Sequence, residues 1–448
     1  MLILSENFSH LSVEALTLLH NEAFHYPSVL SEDPFVEDIP GSPLLLGDRE
    51  SMYYSDILSG SNDAFEFDFK EMPLSRLFVA GFAIGSELMR DDDGSGTIPW
   101  GTYTIANWSV SSNWSIIFEF MNETTTLFKI TILISRYKGT CDIFFDNMDA
   151  SLAEIYSQTG VPIDLAHKMF IEAYCDSTGA EGSAGTAKVA INGVTVAERT
   201  NIISSNINEW GEDPTNESSY FQRLRVSQDD DASYPFNHCA RTLLCDSIYL
   251  CNESGGYQDD FLGPVQITTI YPDGSHLGDQ NNWVGYDDQV ISDPILGSTN
   301  AVLVSAEIMD TENQAQDYIE SDAENLREMY YMKNDVLFAV DDIDIVAVNF
   351  RTMVKKIFDY GENEFDQGLI ALTKPTGNAI SYETSSKINV DQYVYKPLDL
   401  YYGIVPNLAV PWTWTLLEET QFGFESTQVK HQLFLDDSIV STEEVTDI

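Results

Sequence analysis

The stretch Leu243–Gly274, LLCDSIYLCNESGGYQDDFLGPVQITTIYPDG, decides how the chain is read. In Ser247–Cys251 the side chains alternate: Ile248 and Leu250 fall on one face, Tyr249 and Cys251 on the other. In Val265–Tyr271, Val265, Ile267 and Thr269 share a face. A two-residue period marks half-buried strands. Between the runs lies Asn252–Asp260, whose Gly, Ser, Asn and Asp are turn-forming residues. One β domain is therefore expected to close at the first run and another to open at the second. Phe261 and Leu262 are too apolar for an open linker. They are expected to pack where the domains meet, each contributing ~1.5–3 kcal/mol by burial, and to fix the angle between them.

Working outward, the β pattern persists. Phe65, Phe67 and Phe69 alternate with Glu66, Asp68 and Lys70, and Leu77–Ile84 is almost wholly apolar. Tyr103–Ile105, Ser115–Met121, Leu127–Ser135, Cys141–Phe145 and His167–Cys175 follow as further strands, separated by polar turns. Ala187–Glu198 reads as a hairpin turning at Asn192-Gly193, a dipeptide suited to the positive φ angles of a tight hairpin. Asn201–His238 reads as a long loop. Beyond the junction, strands are expected at Ala301–Ile308, within Asp335–Val348, at Asn349–Lys356, Gly368–Lys374 and Tyr393–Tyr401. Asp317–Tyr331 fits a helix or a strand with a loop. Many short strands divided by turns predict an all-β chain built of sandwiches or jelly rolls.

The junction resembles one found in structural proteins of tailed bacteriophages, where a strand "DDIYLCDxxG" leads through a loop to "NDFLGDVRVxTLxPxG". The matching residues are Cys245–Cys251, Asp259–Val265 and Tyr271–Gly274, with Pro264 replacing the usual acidic residue. Phe170-Ile171-Glu172-Ala173-Tyr174 and Val189–Val196 are similar to that family's "WYYIELKV" and "VEVRVNGVTV" strands. Pro411–Trp414 with Gln421–Glu425 resembles its closing "WTxxxVxxxxFGV". The resemblance implies a concanavalin A-like (LamG-like) jelly roll over residues 1–256, with an irregular segment 1–60, then a second β domain over 257–428. Residues 429–448 remain as an acidic tail. It also implies a virion setting and carries no agreed catalytic residues.

Composition narrows the partners. The chain has 448 residues, with 22 basic against 72 acidic side chains, a formal net charge of −50. Such a field repels nucleic acid and anionic membrane surfaces, and no apolar run is long enough to span a bilayer. Its five cysteines form no CxxC pair. Cys239, Cys245 and Cys251 fall six residues apart, ~20 Å along a strand and too far for a disulfide. A reducing cytoplasm during synthesis fits that pattern.

Few patterns suggest chemistry. Glu66, Asp68 and Glu71 fit ExDxxE, a spacing used by laminarinase-type glycosidases, in which two carboxylates ~5–5.5 Å apart act as nucleophile and acid. With 72 carboxylates such a pattern arises by chance, and its interleaved Phe residues mark a core strand. Asp91, Asp93 and Ser95 occupy the first three ligand positions of an EF-hand-like loop. Gly96 stands at its turn, but Thr102 stands where a bidentate Glu would close it. A Ca²⁺ ion at Asp91, Asp93 and Ser95 is the one metal or cofactor expected. The seven His show no HExxH, and neither GxSxG nor a phosphate-binding glycine loop is present.

The resemblance implies a tailed-phage virion protein, and with the composition it sets the expectation of one made in the host cytoplasm, without catalytic activity. A tail or baseplate accessory or fibre-like part is expected, touching other virion proteins and host-surface glycans, as a trimer or in sixfold placement. Alternatives are a capsid decoration or head-fibre protein, a carbohydrate-binding adhesin, or a glycoside hydrolase.

Overall fold

The computed structural model describes the strands named below and the short turns flanking them. The stretches 7–27, 89–112, 201–220, 231–240, 286–318, 333–343, 355–364 and 431–448, and shorter connections, lie outside the described residues. The strands expected at Tyr103–Ile105 and Ala301–Ile308 and the Asp91–Ser95 loop all fall there.

The fold is all-β, a jelly-roll sandwich followed by further antiparallel sheet. The first sheet holds β1 (Leu2–Glu6), β3 (Phe35–Asp38), β4 (Glu50–Asp56), β6 (Leu77–Leu88), β11 (Met169–Asp176), β12 (Thr186–Ile191), β13 (Val194–Thr200) and β15 (Arg241–Asn252). Its order is β13-β12-β11-β6-β15-β4-β3, with β1 also on β15. The second holds β2 (Ser28–Val29), β5 (Ala64–Asp68), β7 (Asn113–Asn122), β8 (Thr125–Ser135), β9 (Thr140–Asn147), β10 (Glu154–Pro162) and β14 (Arg223–Asp230), in the order β10-β9-β8-β7-β14-β5-β2.

The core lies between these sheets because alternate residues of each strand are apolar. Phe78, Ala80 and Phe82 of β6 face Ile116, Phe118 and Phe120 of β7; Ile130, Ile132, Ile134, Ile143 and Phe145 extend the layer. Tilted ring pairs such as Phe82–Phe118, centroids 5.7 Å apart, lock it. Ile248 and Leu250 of β15 point into this core, while Tyr249 and Cys251 point out of the sandwich, as their alternation predicts. A bulge between Asp246 and Tyr249, with Ser247 at φ 49°, aims these residues. The Asn192-Gly193 turn takes positive φ at both residues, 50° and 76°.

Beyond the junction, β16 (Pro272–Asn281), β19 (Arg327–Met332), β21 (Phe365–Lys374), β22 (Glu383–Thr384), β23 (Ile388–Asn389) and β25 (Gln421–Lys430) form a third sheet. Two ribbons accompany it, β17 (Val284–Gly285) with β18 (Ile319–Glu320), and β20 (Val348–Val354) with β24 (Lys396–Tyr402). Tyr330, Leu369 and Phe424 form one core, and Val405, Trp412, Leu417 and Phe422 another. Among the described residues the one α-helix, α1 (Trp414–Glu419), is capped by Thr413, whose side chain accepts from the Leu416 N–H. Among the described residues no helix is long and apolar enough to cross a membrane.

Two expectations are corrected. The described residues of Val265–Tyr271 form no strand; Val265 and Ile270 satisfy their apolar character by packing face-on in separate clusters. The Gly- and Asp-rich Pro272–Asn281 is the strand instead, with two register shifts against β19 that absorb its poor strand formers. The supposed loop Asn201–His238 contains β14, a central strand whose Leu224 and Val226 are core while Arg223 and Arg225 face out. Leu224→Ala is predicted to cost the sandwich ~2–5 kcal/mol, as a core truncation does, against under ~0.5 kcal/mol for a surface loop; guanidinium unfolding measures the difference.

Candidate functional site

Two arrangements stand out, one on each outer face of the sandwich. On the first sheet the outward residues are not solvated. Leu77, Val79, Ala83, Phe170, Tyr174, Tyr249 and Cys251 form a buried cluster, covered by Phe261, Leu262, Val265 and Ala347. The segment Asp260–Val265 is thus a strap across the sheet, and Phe261 and Leu262 pack where the junction reading expects them.

The strap is fastened by polar groups as well. Glu172, wholly buried, lies on β11; Gly81 pairs with it on β6 and with Tyr249 on β15. A Cβ on Gly81 would stand 2.0 Å from Tyr249 Cε1, so the phenol ring lies directly over that glycine. Across this gap the Tyr249 hydroxyl donates to Glu172 Oε1. The strap closes the network: Gly263 N–H donates to Glu172 Oε1 at 2.8 Å, and Leu262 N–H donates to the Tyr249 oxygen at 3.1 Å. Phe170 stacks on Tyr249, centroids 6.1 Å apart, and Pro264 presses on Gly193 of the hairpin turn. At the rim, Lys188 lies 4.3 Å from the Tyr174 ring centroid and pairs with Asp260 at 3.2 Å. Gln258 Nε2 donates to Val346 O at 2.8 Å, tying the linker to the second part of the chain.

Burial dominates the electrostatics here. It pushes the Glu172 carboxyl above its ordinary range, against the bonds from Tyr249, Gly263 and Leu262 that oppose the shift. It raises the Tyr249 phenol too, with the Glu172 charge adding to it, and pushes the Cys251 thiol up to about 12.

The outer face of the second sheet is polar. Register aligns Glu66, Arg225, Glu119, Lys129 and Asp146 in one row across five strands. Arg225 Nη1 lies 3.6 Å from Glu119 Oε2, and Lys129 Nζ lies 3.4 Å from Asp146 Oδ2. Thr126 Oγ1 donates to Glu119 Oε1 at 3.1 Å. The next row carries Ile117, Thr131 and Phe144, half-buried, and Ser157, exposed. Acids, bases, hydroxyls and one aromatic ring on a single sheet face are the groups that hydrogen-bond and stack on a polyol.

Of the residues singled out from sequence, Glu66 and Asp68 lie on β5, and Glu71 falls outside the described residues. Asp91, Asp93 and Ser95 do as well; among the described residues no group of three metal-binding side chains is found. Sequence reading missed Arg225, Glu119, Lys129 and Asp146 as a set, and Glu172 with Tyr249 as a pair. The Arg-Leu-Arg-Val alternation of β14 was the available signal for the first.

No protein-family model matches the chain, and no curated protein matches it. Solved structures share its fold. An endo-β-1,4-glucuronan lyase from the fungus Trichoderma reesei is 9% identical, with 50% of this chain and 90% of that one covered and a TM-score of 0.32. An alginate lyase from Chlorella virus is 10% identical, with 55% and 100% covered and a TM-score of 0.35. A conserved carbohydrate esterase from the Shiga toxin-encoding bacteriophage phi24B is 10% identical, with 57% and 99% covered and a TM-score of 0.31. The likeness is one of fold. It corrects the expectation of a chain without catalytic activity: these three structures of like fold are two polysaccharide lyases and a carbohydrate esterase, so that exclusion does not stand.

Tyr249→Phe removes the hydroxyl and leaves the Leu262 N–H without its acceptor. It is predicted to cost ~1–3 kcal/mol in chemical denaturation. Phe261→Ala is predicted to broaden the distribution of inter-unit orientations in small-angle scattering; an unchanged profile would show that the strap does not fix the angle.

Proposed function

We infer that the chain is a virion protein of a tailed bacteriophage, mounted on the tail or baseplate, that holds its jelly-roll sandwich toward carbohydrate on the host surface. One observation carries this reading. The motif residues that resemble phage structural proteins, Glu172, Asn192-Gly193, Tyr249 and Phe261-Leu262-Gly263, are the residues that build the strap. The resemblance therefore rests on a physical device, not on composition. A strapped junction suits a bracket that transmits position from a particle to a ligand-facing module. The second part of the chain, with neighbouring virion proteins as partners, is the mount. The polar row Arg225–Glu119–Lys129–Asp146 is the ligand-facing surface. The net charge of −50 favours neutral or basic glycans over polyanionic ones.

A glycan-cleaving variant of this reading draws on register alone. Register pairs Glu66 of β5 with Arg225 of β14, and Arg225 bridges to Glu119 of β7 on the other side.

Binding and cleavage are read together by incubating the chain with an array of host-surface glycans and assaying both retention and release of fragments. Arg225→Ala with Lys129→Ala is predicted to lower affinity at least ~10-fold, about 1.4 kcal/mol, with the unfolding midpoint nearly unchanged. A wild-type chain that neither retains nor cleaves any glycan overturns the carbohydrate reading. For placement, about six to some tens of copies per particle are predicted, matching a tail's symmetry; hundreds would put the protein on the head.

A further inference from the structure

We propose that the strap is a proton-gated latch, closed over Glu172 in its carboxylic-acid form and loosened when that carboxyl ionises. The geometry carries this. Glu172 is wholly buried, and both of its strap-side donors, the Tyr249 hydroxyl and the Gly263 N–H, fall on Oε1. Oε2 is buried and has no hydrogen-bond partner. As a carboxylate, Glu172 would keep an unsolvated, unbonded anionic oxygen under an apolar lid, the most costly state for a buried polar atom. As an acid it carries its proton on Oε2 and accepts both donors on Oε1, so the strap's bonds persist without a buried charge.

Among the described residues no cation is paired with the carboxylate. From the strap, Asp259 and Asp260 lie nearby, and Asp260 further disfavours ionisation. β12 brings Lys188, but that ammonium is held at the rim by Asp260 and the Tyr174 ring. β15 brings Tyr249 and Cys251, both kept neutral by burial. β6 contributes Leu77, Val79, Gly81 and Ala83, none of them titratable; β11 itself adds Tyr174 and Asp176; and, among the described residues, the segment carrying Ala347 adds the exposed Asp344. The burial that raises the Glu172 pKa acts in the same direction.

The sign follows from linkage. The closed state holds a proton that the open state, titrating near ~4.3, releases. Closure is fully favoured below that open-state value. The opening constant then rises about tenfold per pH unit until the raised closed-state value is passed, and is level above it. Acid stiffens the bracket and alkali loosens it.

Peptide-resolved hydrogen exchange on the full chain tests this at about pH 5 and pH 8, with rates corrected for the intrinsic pH dependence of amide exchange. Protection of the Phe261–Gly263 peptide is expected to fall at least ~10-fold at the higher pH, while the Ile130–Ile134 core peptide holds. Glu172→Gln, which keeps the Oε1 acceptor but cannot ionise, is expected to abolish the fall. Equal protection at both pH values, or the same loss in Glu172→Gln, overturns the latch. Should that variant misfold, the infrared band of a protonated buried carboxyl decides in the wild type at about pH 5: its presence there supports the proposal, and its absence refutes it.

Discussion

The Tyr249 phenol reaches Glu172 because position 81 has no side chain. Strands in a sheet lie ~4.8 Å apart, so β15 and β11, separated by β6, are too distant for adjacent-strand contact. A tyrosine ring laid flat across the intervening strand spans that distance, and the bare Cα of Gly81 lets it lie there. Everything in the strap follows from that placement. The hydroxyl and the carboxyl together offer the acceptors that the Leu262 and Gly263 N–H groups need, so an irregular segment lies on an apolar sheet face without orphaned donors.

The same placement divides the sandwich into two unlike outer faces. One is apolar, roofed by the strap, and committed to the junction. The other carries paired charges and hydroxyls across four strands, and partly exposed pairs of that kind contribute about 1 kcal/mol or less each to stability. A face kept polar at little energetic gain is available for recognition, whereas the roofed face is not. The excess of 50 negative charges sharpens the contrast, because Lys129 and Arg225 are two of only 22 basic residues and both stand in the polar row.

Much of this was legible in the sequence, and the omissions have physical causes. Alternation at Ser247–Cys251 correctly sorted Ile248 and Leu250 from Tyr249 and Cys251, because this strand buries one face in the sandwich core and the other under the strap, leaving each set a distinct environment. The Asn192-Gly193 turn was legible because few dipeptides tolerate two positive φ angles. β14 was hidden since only Leu224 and Val226 mark it within a long polar stretch. α1 spans six residues, too few for a helical period to show. The latch joins residues 77 and 91 positions apart, and which polar residue meets which depends on strand order that no local pattern encodes. The Val265–Tyr271 run misled because alternation reports a buried face, not an edge pairing, and a strap docked face-on satisfies it equally well.

The central claim is that Tyr249 and Glu172 act as one unit in holding the strap. A double-mutant cycle with Tyr249→Phe, Glu172→Ala and the double variant, read by chemical denaturation at about pH 5, tests it most directly. The account predicts a coupling energy of ~1–3 kcal/mol between the two positions. Additive effects, with coupling below ~0.5 kcal/mol, would contradict it.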